Sequence, residues 1–267
     1  MEAASALGAS IAAASALAGG ITIVFTVPQI VALSQASPSP LPTTTYMGAA
    51  ARGIFARAIA MQTGLKVLHF GAVRAIKKGL DNVGAFGAYN INVAYGLVAV
   101  PAQAASYNTL TADTFRYFGK TKGQSSANFV EAGAAFFRTK VKPGFLWTFA
   151  RDSNSVGGGL LLGPVVARFI ADQRSGSGAG KNTPTRTDKL VGGTLAGFVC
   201  GCATQAFHNA ALTAGRAAEL GKPLSTIECA TTLYKEHGIN LLWKGVGNRV
   251  VVIAGMSAIL NVFEPFK

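Results

Sequence analysis

LVGGTLAGFVCGCATQAFHNAALTAG, residues 190–215, runs without a single Asp, Glu, Lys or Arg. An α-helix needs roughly 20 mostly apolar residues to cross about 30 Å of hydrocarbon, and this stretch exceeds that. Working outward, Ala3–Ala51 and Asn82–Ala112 are equally free of charge. Three further segments are weaker. Ala58–Ile76 is interrupted by Lys66 and Arg74, while Ser153–Ala167 and Val250–Phe263 are uncharged but short. Basic side chains near helix ends snorkel, and polar groups inside a bundle can face inward. The pattern predicts an all-α integral membrane protein of six transmembrane helices.

Composition agrees. Half of the 267 residues are hydrophobic and only 13% are charged, about half of the roughly 25% usual for a soluble domain. The 24 Lys+Arg against 11 Asp+Glu give +13, gathered at Arg116–Lys122, Arg138–Lys142, Arg174–Lys189 and Arg216–Lys244. Charge placed between spans fits loops beside anionic headgroups, and no nucleic-acid partner is expected. The three cysteines and three scattered histidines offer no metal-ligand spacing. Met1-Glu2-Ala3-Ala4 lacks the basic region of a cleaved leader, so the first hydrophobic stretch is expected to remain.

The chain also repeats. Trp147 and Trp243 lie 96 residues apart, each after a Gly-containing turn and before an Arg (Arg151, Arg249) and a hydrophobic helix. A second step of 96 lands on Ala51, before Arg52-Gly53-Ile54-Phe55. Three units are predicted, at 1–80, 81–175 and 188–267, each with two long helices. A short helix between them is clearest where Ser225 and Glu228 form a capping-box pattern before Cys229–His237. Ser125–Lys140 has the same role in the second unit, and Ser34–Met47 of the first has no counterpart. Small residues recur four apart, at Gly8, Ala12, Ala16 and Gly20, at Gly84, Ala88 and Gly96, and at Gly193, Gly197 and Gly201. Such stripes let membrane helices approach closely.

At Gly192-Gly193-Thr194-Leu195-Ala196-Gly197, Tyr234-Lys235-Glu236-His237-Gly238-Ile239, Leu242-Trp243-Lys244-Gly245, Asn248-Arg249 and Phe263-Glu264 the chain resembles the mitochondrial carrier family. Gly144-Phe145-Leu146-Trp147 with Arg151-Asp152 extends the likeness to the second unit. Arg52-Gly53-Ile54-Phe55-Ala56-Arg57 with Phe70-Gly71-Ala72-Val73-Arg74 extends it to the first. The resemblance implies six helices in three pseudo-repeats, short matrix-side helices in the second and third, and a place in the mitochondrial inner membrane.

The departures from the family pattern bear on function. The resemblance implies a matrix gate of ion pairs built from a Pro, an acid two residues on and a base three further. Here those positions are Pro28, Ile30 and Leu33, then Pro101, Gln103 and Ser106, then Ala206, His208 and Ala211. All six charges are missing. The opposite gate keeps Phe70 and Arg74 in the first unit and Phe263, Glu264 and Lys267 in the third, but Gly71 and Pro164 stand at the other acid positions. Alternating access needs two states separated by a few kcal/mol, which reciprocal ion-pair rings supply and neutral contacts do not.

Among the other signals, Gly176–Thr183 imitates a phosphate loop but has Asn182 after Lys181 and no preceding strand, so it reads as a polar connection. Arg151-Asp152 falls where the family's substrate contacts are placed, and is either an anion contact or an internal pair. His208 is an ionisable group on a membrane helix. Lys244-Gly245 and Arg52-Gly53 open helices with a base beside free N–H groups, and the resemblance implies cardiolipin there. No catalytic constellation and no cofactor beyond bound cardiolipin is expected. These readings predict a transport-inactive accessory subunit of an inner-membrane assembly such as a respiratory complex. The alternative is a divergent carrier exchanging a small metabolite.

Overall fold

Ser225 and Glu228 form the capping box read from the sequence: the Ser225 hydroxyl accepts from the Glu228 N–H, and the Glu228 carboxylate accepts from the Ser225 N–H at 2.8 Å. The helix they start runs Thr226–His237, inside the expected stretch, and ends at Gly238 with φ 53°. It belongs to a computed structural model that describes residues 8–21, 24, 55–102, 142, 144–175, 182–219 and 223–266. The expectations for Ser34–Met47 and Ser125–Lys140 lie outside these residues.

Among the described residues the chain is helical, with no strand. In order come α1 (Gly8–Ile21), α2 (Phe55–Asn82), a 3-10 turn (Gly87–Tyr89) and α3, described over 90–102. They are followed by α4 (Phe145–Asn154), α5 (Val156–Ser175), α6 (Arg186–Ala203) and α7 (Gln205–Glu219). The capped α8 (Thr226–His237), a 3-10 turn (Gly238–Leu242) and α9 (Val246–Phe263) complete the order.

By length and composition, Phe145–Arg174 alone passes as a membrane span, and α6 with Gln205–Ala211 passes as a second if that pair, bent by 58°, is one span. Six spans are therefore not all legible in the helices themselves. Gly8–Ile21 and Arg249–Phe263 are apolar but short. The 28-residue α2 carries Lys66, Arg74, Lys77, Lys78 and Asp81.

The glycine stripe of α6 sets the packing. A Cβ on Gly192 would lie 2.7 Å from Gly163 O and Ala167 N of α5, and one on Gly197 2.7 Å from Ile253 O and Ala254 Cα of α9. Backbones thus meet on both sides of α6. Its large residues point the other way: Leu195, Phe198 and Val199 are at least half exposed. Helix α5 repeats this, burying Gly157, Gly158, Gly159 and Gly163 while exposing Leu162, Val165 and Phe169.

The remaining neighbours close a circle. A Cβ on Gly19 of α1 would meet Thr63 N of α2 at 3.1 Å, and one on Gly255 of α9 would meet Ile21 of α1 at 2.9 Å. Lys77, Asp81 and Asn90 join α2 to α3 across the turn between them. Gly157 of α5 faces Asn92 of α3, where a Cβ would lie 3.0 Å from the Asn92 Cα. Apolar side chains of α1, α2, α3, α5 and α9 meet in one core, including Ala14, Phe70, Tyr95, Val156 and Met256.

The tryptophan register is corrected here. Trp147 sits within α4, whereas Trp243 ends the turn before α9. The equivalent positions are Gly144 (φ 75°, ψ 13°) and Gly245 (φ 76°, ψ 11°), both left-handed N-caps. A side chain at either would be strained, which is why each start has glycine. The matching step is therefore 101 residues, and Pro143 corresponds to Lys244 in sequence.

Candidate functional site

Gln62, Lys66 and His69 recur along α2 at spacings of four and three, so they share one face, and all three are buried. From α4, Arg151 and Asp152 are buried as well. They form the internal pair that the sequence left open: Arg151 Nε donates to Asp152 Oδ1 at 2.9 Å, and Nη2 donates to Oδ2. Arg249, one turn into α9, is 6% exposed and donates from Nη2 to Thr204 Oγ1 at 2.9 Å.

Lys66, Arg151 and Arg249 are thus three buried cationic side chains among the described residues, where the buried carboxylates are Asp188 and Asp152, the latter forked on Arg151. Arg249 Nε, His208 Nδ1, His69 Nε2, Ser153 Oγ and Ser155 Oγ are each buried with no hydrogen-bond partner among the described residues, whereas buried polar groups are ordinarily paired.

Thr204 is the break between α6 and α7, and its hydroxyl also donates to Cys200 O at 2.7 Å. Just beyond it, Gln205 Nε2 donates to Lys244 O at 2.6 Å and Asn209 Nδ2 to Leu241 O at 2.7 Å. The bend is made without proline, and is pinned to the turn before α9 and to Arg249 within it. Of the expected matrix-gate positions, Ala206, His208 and Ala211 lie on α7, each half-buried. Phe207 stacks on Trp147 at 6.0 Å between ring centroids, and Trp147 Nε1 donates to Thr226 O at 3.2 Å. Pro101 is exposed near the described end of α3. Pro28, Ile30, Leu33, Gln103 and Ser106 lie outside the described residues.

At the other end, Phe70 is fully buried, edge-on to Phe266 at 5.7 Å, while Arg74 and Phe263 are half-buried. Glu264 adopts the left-handed region (φ 47°, ψ 47°) and accepts from Lys189 Nζ at 3.0 Å. Lys267, expected in the same gate, lies outside the described residues, and one partner of Glu264 is Lys189 on α6. Of the expected lipid positions, Lys244 and Gly245 are exposed, Gly245 has no side-chain cap, and Lys244 Nζ approaches His237 Nε2 at 3.1 Å. Arg52 and Gly53 lie outside the described residues.

Sequence reasoning took Lys66 only as an interruption of a span and Arg249 only as part of a pattern. The signal for Lys66 was the repetition of Gln62, Lys66 and His69 on one helical face. Arg249 gave no such signal, because its partner Thr204 is 45 residues away. No family model, curated protein or solved structure matches this chain.

Proposed function

We propose that this chain is a carrier-like, six-span protein of the mitochondrial inner membrane that is held in one state and works as an accessory subunit of a larger assembly, such as a respiratory complex. The carrying observation is the pinned bend: Thr204, Gln205 and Asn209 tie α7 to Arg249 and to the carbonyls at Leu241 and Lys244. An alternating-access bundle has to break and remake contacts at such a bend. The two neutral amide bonds contribute about 1 kcal/mol each and the guanidinium bond about 1.5–3 kcal/mol, so the three together weigh against a second state. The missing gate charges point the same way.

The outward Leu, Val and Phe faces of α5 and α6, with glycine inside, support a lipid environment, since helices in water bury their large apolar residues. The circle of neighbours from α1 round to α9 supports the three-unit arrangement. Extraction in mild detergent is expected to yield the chain within a complex. Migration as a free protomer, with saturable metabolite uptake in proteoliposomes, would refute the reading.

A second reading, a divergent carrier exchanging a small metabolite, is favoured by the buried Arg151–Asp152 pair in the first third of the Phe145–Arg174 helix. It requires that reconstituted protein exchange a labelled solute and lose that exchange on Arg151→Ala.

A further inference from the structure

Where α2 turns into α3, every residue from Asp81 to Tyr89 is exposed, and the large ones are apolar: Val83 is 75% exposed, Phe86 53% and Tyr89 62%. A loose loop can fold such side chains back onto the bundle, but this one is held open. The buried Asn90 amide donates to Asp81 Oδ1 at 2.8 Å and accepts from the Phe86 N–H at 3.1 Å, and the Ala85 N–H donates to Leu80 O at 3.2 Å. Gly84 (φ 63°) and Gly87 (φ 57°) supply the left-handed backbone that the turn requires. The three side chains are therefore presented with little freedom left to lose on binding.

The charges behind the turn decide what covers it. Lys77 Nζ pairs with Asp81 Oδ2 at 2.7 Å, with side chains 31% and 42% exposed, and an exposed ion pair belongs in water rather than in hydrocarbon. Asp81 and Asn90 close the neck of the turn, so Val83, Phe86 and Tyr89 lie beyond that pair, on its water side. An apolar, aromatic projection in water matches an anchor for another protein, since exposed apolar patches mark contact sites and aromatic residues are enriched in interface cores. Charge narrows the partner. The last three turns of α2 carry Arg74, Lys77 and Lys78 against Asp81 alone, a basic collar behind the apolar tip.

We propose that Val83, Phe86 and Tyr89 dock into an apolar pocket, rimmed by carboxylates, on a neighbouring protein subunit. The inference rests on the accessory-subunit reading and names one of its contacts.

The test replaces Phe86→p-benzoylphenylalanine in the full-length chain and irradiates the native membrane before mild detergent extraction. One protein adduct is expected, mapping to an apolar segment flanked by Asp or Glu, whereas Phe198→p-benzoylphenylalanine on the outward face of α6 should give lipid adducts. Phe86→Asp should lower the fraction of chain that migrates in the complex about tenfold or more, and Lys78→Glu should lower it by a smaller factor. Both positions are exposed, so the melting temperature of each free protomer should match the parent's. Adducts at position 86 with phospholipid alone, or a Phe86→Asp chain that assembles as the parent does, overturn the docking site while leaving the accessory-subunit reading intact. A parent chain that extracts only as a free protomer and forms no protein adduct overturns both.

Discussion

Thr204 carries more than its size implies. Its hydroxyl accepts from the Arg249 guanidinium and donates to the Cys200 carbonyl, so one side chain sits at the bend and gives a buried cation one hydrogen-bond partner. Thr204→Val keeps the shape and removes both bonds, leaving Arg249 with one partner fewer. The expected loss is about 1–3 kcal/mol, read as a lower thermal midpoint in detergent, and Thr204→Ser should restore most of it. A Val variant as stable as the parent would show that the bend does not depend on this bond. Neither residue could be paired from sequence, because hydrogen bonds between helices leave no periodic trace. The Arg151–Asp152 pair, by contrast, was one of two readings that the sequence offered, because the two residues are adjacent.

At the scale of elements, α6 and α8 were the most legible, because each is governed by contacts within a few residues. The glycine stripe of α6 was visible as Gly193, Gly197 and Gly201, and the backbone approach at Gly193 and Gly197 to Ser257, Ala258 and Ala254 gives it meaning. Gly197→Val would drive a branched side chain into the backbone of α9. It should cost at least about 1–3 kcal/mol, whereas Gly64→Ala, with nothing within 4 Å of the new Cβ, should change the midpoint little. Equal effects of the two would remove the case for tight α6–α9 packing.

The cap of α8 adds a pH dependence. The Ser225 N–H and hydroxyl hold the Glu228 carboxyl below the usual carboxylate range. A depressed carboxylate stabilises above its unfolded pKa and loses that contribution as pH falls through the folded one, here below about 4.5. Exchange protection of α8 amides, corrected for intrinsic rates, should therefore drop in acid, and Glu228→Gln should flatten the profile. What sequence could not give was the register between units. The two tryptophans are conspicuous residues in unlike places, one inside a helix and one before it, while the equivalent glycines are inconspicuous because the chain has so many.

Across the whole molecule, the proposed loss of switching rests on gate positions without charge, whereas the buried Lys66 and Arg249 place charge inside the described helices. Six spans were read from charge-free stretches, but the helices themselves divide differently, since α2 places Lys66 and His69 inward where a hydropathy argument sees only interruption. Lipid belongs to this scale as well. Lys244 and the uncapped start of α9 at Gly245 face outward near His237, so anionic phospholipid should be retained in native mass spectrometry. Lys244→Ala should lower that retention, and an unchanged lipid complement would place the phosphate contacts elsewhere.

The meeting of Gly255 in α9 with Ile21 in α1 has a consequence for how the protein comes into being. The first described helix finds one of its flanks only when the last has been made, so the circle cannot be completed in the order of synthesis. Until then the Ile21 flank of α1 awaits a partner more than 200 residues downstream. Non-local closure of this kind is slow and leaves intermediates open to wrong partners. The ring of packed helices is therefore secured only once α9 is in place.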